Sequence, residues 1–138
     1  MIGVKNKKGY KVALDSETKR NNNFRKVLYT AKHSQLVLMS LKPGEDIGEE
    51  THSSIDQFFR FEHGTGAVVI NRVRHMVKDG VGVVVPAGSR HNVINTSRSQ
   101  KLKFYTMYSP PDHKDKIIHR TKEEAMKKDK EFDGRTTE

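Results

Sequence analysis

The chain has 138 residues, enough for one domain with one real core, and its 26 Lys and Arg against 17 Asp and Glu leave a formal charge of +9. It has no cysteine, which excludes disulfides, thiolate–metal sites and a Cys nucleophile. Its longest apolar runs, "VGVVVPAG" and "QLVLMSL", fall far short of the roughly 20 residues of a membrane-spanning helix, and "MIGVKNKKGYK" lacks the apolar stretch of a secretion signal, so a soluble cytoplasmic protein is the expectation.

Residues 1–23 read as a basic lead-in ending in "NNN", with one short strand at 10–14. Residues 1–35 carry nine Lys and Arg against two acids, whereas residues 112–138 carry eight of each sign. A basic arm on a nearly neutral body could meet an acidic surface. No helix-turn-helix pattern or aromatic–basic strand accompanies it, so nucleic acid is not the expected partner. From Phe24 the composition turns β-prone. "FRKVLYTAKH" and "SQLVLMSLKPG" are rich in Val, Leu, Tyr and Thr and too short for helices. "QFFRFEHGTGAVVIN" offers two strands about a Gly64–Gly66 turn, with Phe58, Phe59 and Phe61 filling the core or a strand-pairing interface. "HMVKDGVGVVVPAG" offers a hairpin about Asp79-Gly80. "HNVINTS" and "LKFYTMYSPP" close the series. Strands recurring about every ten residues predict an all-β sandwich or barrel over residues 24–111. The charged tail, residues 112–138, contains the one predicted helix: Thr121 and Glu124 form a capping box ahead of "KEEAMKKDKEF".

Two stretches carry the chemistry. In "GVGVVVPAGSRHNVIN", Gly80 is followed after five residues by Pro86, then after one by Gly88, after two by His91 and after three by Asn95. Pro86 and Gly88 stop one strand, because Pro cannot donate to a ladder and Gly tolerates positive φ. The next strand begins at His91, with residues 91, 93 and 95 on one face. In "GEDIGEETHSSIDQ", Gly44 is followed after five residues by Glu50-Thr51-His52, then after four by Gln57 and after six by Gly64. Glu50 and His52 are two apart and on a strand point the same way. Asp46, Glu45 and Glu49 read as solvated loop charges.

This spacing resembles the two sequence motifs of the cupin superfamily. The second motif matches at every fixed position. The first keeps its frame, with Glu50 where the family has its first His and Gln57 where it has Glu. The phrases "LKPGEDIGEETH", "DQFFRFEHGTG", "VPAGSRHNVINTS" and "YTMYSPPDH" resemble the short single-domain cupins often labelled mannose-6-phosphate isomerase-like. The resemblance implies a single jelly-roll β-barrel with a short C-terminal surface helix. It also implies one divalent transition metal ion held by Glu50, His52, Gln57 and His91. Such mixed nitrogen and oxygen donors suit Zn, Fe, Mn, Ni or Co alike. The implied partners are a small oxygenated ligand, such as a sugar or sugar phosphate, and a second copy of the chain in a homodimer. Isomerisation or epimerisation is the leading reaction class. An Fe(II) dioxygenase and a non-catalytic binding module, with a polar pocket and no metal, are the alternatives. The remaining histidines, His33, His63, His75, His113 and His119, are expected at the surface or in turns. Arg60, Arg90 and Lys103 are expected to be exposed, and Tyr105 and Tyr108 to pack in the core or line the pocket.

Overall fold

The computed structural model describes residues 6–138. The first five residues of the basic lead-in lie outside the described residues. A short helix α1 (Leu14–Arg20) leads into β1 (Arg25–Thr30), β2 (Gln35–Leu41), β3 (Asp56–His63), β4 (Thr65–Ile70), β5 (Val73–Lys78), β6 (Gly82–Val85), β7 (His91–Asn95) and β8 (Leu102–Ser109). A two-residue strand β9 (Ile118–His119) and a second helix α2 (Lys122–Lys128) follow. The strands form a six-stranded sheet, ordered β6-β3-β8-β2-β1-β9, and a three-stranded sheet, ordered β5-β4-β7. The pairings within both sheets are antiparallel. This is the all-β jelly-roll barrel expected from the sequence.

Alternation along the strands builds the core. Phe59 and Phe61 on β3, Phe104 on β8, Val37, Met39 and Leu41 on β2, and Val68 and Val93 on the smaller sheet are buried in one cluster. Phe61 and Phe104 meet with ring centroids 5.0 Å apart. Phe58, of opposite parity, is 36% exposed, so it belongs to the outer face and not to the core.

The chain passes from one sheet to the other at Gly64, between β3 and β4. Its φ is +95°, and a Cβ added there would stand 2.4 Å from the Lys101 carbonyl oxygen, so glycine is required on both counts. This stretch is therefore a corner between sheets. Asp79-Gly80 proves to be a second corner and not the predicted hairpin: β5 pairs with β4 in the small sheet, while β6 pairs with β3 in the large one. The tight hairpin lies instead at Asn71-Arg72, between β4 and β5. Both residues have positive φ, 46° and 70°, as a two-residue turn matched to strand twist demands.

No strand forms at residues 10–14. The segment "LDSETKR" is helical, with Asp15 and Glu17 in its first turn and Lys19 and Arg20 in its last, each sign complementing the helix dipole. Lys19 pairs with Asp15 and Arg20 with Glu17 along the helix. Seven residues are too few for an apolar period to show, which is why the helix was not legible. At the other end the Thr121 hydroxyl accepts from Glu124 N at 3.1 Å, one half of the predicted capping box, while the Glu124 carboxylate accepts from Arg120 N at 3.4 Å and not from Thr121 N. Among the described residues no helix is long and apolar enough to cross a membrane.

Candidate functional site

The segment between β2 and β3 runs beside β7. Glu50 N donates to the His91 carbonyl and His91 N to the Glu50 carbonyl, both at 2.9 Å, and Ile47 N donates to the Val93 carbonyl at 3.0 Å. Gly88 N reaches the His52 carbonyl at 2.8 Å. These bonds zip the two motifs together, although about 40 residues separate them along the chain (91 minus 50 is 41). Gln57 enters from β3, with Phe59 and Phe61 next on the same inward face, and His91 enters from β7.

Of the four predicted donors, Glu50, His52 and His91 are brought together, and Gln57 is buried on β3, opposite Tyr108 in the strand register. His52 Nε2 lies 2.9 Å from Glu50 Oε2, without the alignment of a hydrogen bond, and this buried nitrogen has no other partner. The His52 and His91 rings are 5.5 Å apart between centroids. His91 shares Nδ1 with the Ser89 carbonyl at 2.9 Å; a neutral imidazole donating there keeps the Nε2 lone pair free. Gln57 is 4% exposed. Its Nε2 donates to Thr106 Oγ1 at 3.0 Å, which turns the amide oxygen the other way, and that buried oxygen has no partner.

Electrostatics couple Glu50 to His52. Burial works against the Glu50 carboxylate, but His52, with Arg25 and His91 beyond, outweighs it and holds its pKa below the ordinary value. The Glu50 contact, against the cost of burial and with Asp112 adding to it, holds the His52 pKa above its ordinary value.

As the side chains stand, no three His, Asp or Glu groups among the described residues converge on one point that could hold an ion. The donor chemistry nevertheless fits a divalent ion. The unpartnered Gln57 oxygen is what a coordinating ion would satisfy.

The neighbours of the site include Tyr108, expected in the core or lining the pocket, and others that were not foreseen. Tyr108 is buried, packs edge-on to the His52 ring at 6.0 Å, and has its hydroxyl 3.2 Å from His113 Nε2. Burial pushes its pKa up. His113 and His119, expected at the surface or in turns, are 3% and 4% exposed. Both were misplaced because the segment after β8 folds back onto the barrel: His113 Nδ1 meets Asp129 Oδ1 at 3.0 Å, and His119 Nδ1 meets Arg25 Nη1 at 3.4 Å. Arg25 is itself buried on β1, with Nε unpartnered. Its parity with Val27, two residues on, could have placed it inward; nothing local marks His113. A hollow of about 270 Å³ at this mouth is lined by Arg25, Glu50, Asp112, His113, Lys122 and Asp129, among others. A second, of about 580 Å³, is flanked by His91, Arg72 and Arg90, the last paired with Glu49.

Comparison with known proteins agrees with this architecture. The cupin domain model matches residues 37–108. The protein YrkC of Bacillus subtilis is 46% identical over 125 residues, covering 86% of this chain and 67% of that one. The protein L612 of Acanthamoeba polyphaga mimivirus is 45% identical over 107 residues, covering 75% of this chain and 67% of its own. The crystal structure of BH2720 from Bacillus halodurans superposes with a TM-score of 0.84 at 42% identity, covering 86% of this chain and 94% of that one.

Proposed function

The chain belongs to the cupin family, and on that premise we propose that it binds one divalent transition metal ion through Glu50, His52, Gln57 and His91 and presents it to a small oxygenated molecule. The observation that carries this reading is the buried Gln57 Oε1 without a partner, in a donor set where Glu50 and His52 already meet and the His91 ring stands beside His52. When bound, the ion would polarise a carbonyl oxygen or acidify a bound water. The protein's own residues do the rest. Thr106 orients the Gln57 amide, and the Ser89 carbonyl orients His91. The hollow beside Glu50 offers Arg25, Lys122, Asp112 and His113 to the hydroxyl or phosphate groups of a ligand. Isomerisation or epimerisation of a sugar or sugar phosphate is the reaction class we favour, because such a site pairs carbonyl polarisation with nearby acid–base groups. The proposal includes association of two copies as a homodimer.

A competing reading, a metal-free binding barrel, has one observation in its favour: Glu50 Oε2 already meets His52 Nε2 directly, at 2.9 Å. Elemental analysis of the purified protein separates the two. We expect close to one equivalent of a transition metal in the parent and little in an E50A/H91A double variant. No metal in the parent, even after reconstitution, would leave the metal-free barrel as the better account.

A further inference from the structure

Asp112 lies beyond both sequence motifs and beyond the last residue matched by the cupin model, Tyr108. Its backbone is nonetheless clamped from inside the barrel by Gln35 of β2, which is 1% exposed. The Gln35 amide oxygen accepts from Asp112 N at 3.2 Å and from His113 N at 3.0 Å, while its nitrogen donates to the His113 carbonyl at 2.7 Å and to Thr30 Oγ1 at 2.9 Å. A buried amide with its full bonding capacity used this way is a rigid holder. Phe132 N adds a bond to the Asp112 carbonyl at 3.0 Å.

The carboxylate held there stands between two imidazoles. Oδ1 is 3.9 Å from His52 Nδ1, and Oδ2 is 3.4 Å from His113 Nε2. His113 in turn has Nδ1 3.0 Å from Asp129 Oδ1. Imidazole and carboxylate thus alternate from His52 through Asp112 and His113 to Asp129. Resting on the reading that His52 is a metal ligand, we propose that Asp112 is its positioning residue: the carboxylate takes the Nδ1–H, which commits the Nε2 lone pair to the ion. A shift of about 1 Å brings the two into hydrogen-bond range. At His91 the Ser89 carbonyl does the same task. A carboxylate does it more strongly, because its charge also makes the imidazole a better donor to the metal. The Gln35 and Phe132 bonds to its backbone hold Asp112 in place. The segment after β8 is then part of the metal centre and not an appendage to it.

The test is zinc affinity of the full chain, measured against a chromophoric chelator, for the parent, D112N, D112A and D133N. Asp133 belongs to the same C-terminal segment but is exposed, and its carboxylate accepts from Arg135 N, away from the Gln35 clamp. We expect a 10–100-fold weaker Kd in D112N and D112A and an unchanged Kd in D133N, whatever each does to Tm. Nitrogen-15 NMR of zinc-loaded protein should show the His52 proton on Nδ1, with that signal displaced in D112A. Unchanged affinity in both Asp112 variants, with the parent binding one equivalent, overturns the positioning role and leaves the metal reading intact. So does an equal loss in D133N, which would mark a folding effect. A parent that binds no zinc overturns both.

Discussion

His119 shows how burial converts a surface-type residue into a pH-sensitive one. Burial, and then the neighbouring Arg25 charge, lower its pKa, while Asp129 pulls the other way. Because Arg25 donates to His119 Nδ1, a proton on that nitrogen would break the contact. The unfolded chain takes up a proton near the ordinary value of 6.5, whereas the folded chain resists it until lower pH. Stability from this residue is therefore complete above pH 6.5 and declines as the pH falls towards the folded value. We expect the urea midpoint of the parent to fall more steeply between pH 7.5 and 5.5 than that of H119Q. Parallel profiles would show that His119 does not contribute to the acid sensitivity.

At the scale of elements, the turns decide which strands pair. Asn71 tolerates positive φ because its short amide can bond locally, and its Oδ1 accepts from Arg90 N at 3.1 Å. Arg72 at φ 70° has no such advantage, and this is the second position of a two-residue turn, where glycine is the common choice. R72G should therefore stabilise the protein by roughly 0.5–1 kcal/mol, the relief of left-handed strain less the added chain entropy of glycine. Equilibrium denaturation reads this directly, and a destabilised variant would mean that the Arg72 side chain supplies more than the strain costs. The two glycine-bearing corners work differently. Gly64, and Gly80 at φ 85°, send the chain between sheets, so residues of β3 and β6 that lie 22 to 28 apart in sequence become partners while β4 and β5 close the smaller sheet.

At the scale of the molecule, the barrel ends in two strands whose outer edges carry apolar side chains. Val73 and Met76 on β5 are 56% and 62% exposed, and Val84 on β6 is 63% exposed. Open edges of this kind are managed by pairing or covering them, and this supports the proposed homodimer. Sedimentation velocity should give about twice the 15.8 kDa chain mass, and M76E should shift the population towards monomer. A parent that sediments as monomer at micromolar concentration would retire the dimer. The segment after β8 is the other large-scale feature. It returns across the mouth, places β9 beside β1, and buries Ala125 of α2, so the hollow beside Glu50 is walled jointly by the barrel and by residues 112–129.

What could be read from the sequence alone was whatever local spacing encodes. The alternation of apolar residues specified strands, Pro86 and Gly88 specified a stop, and the interval to His91 together with the Glu50–His52 pair specified which polar side chains share a face. Tertiary structure decided everything that depends on partners distant in the chain. "KDGVG" looks the same whether its flanking strands pair with each other or with strands of different sheets, because the choice rests on which face finds a core. Arg25 and His119 lie 94 residues apart, and Gln35 and Asp112 lie 77 apart. No local pattern encodes such a contact, since it exists only once the barrel closes and the C-terminal segment finds its mouth.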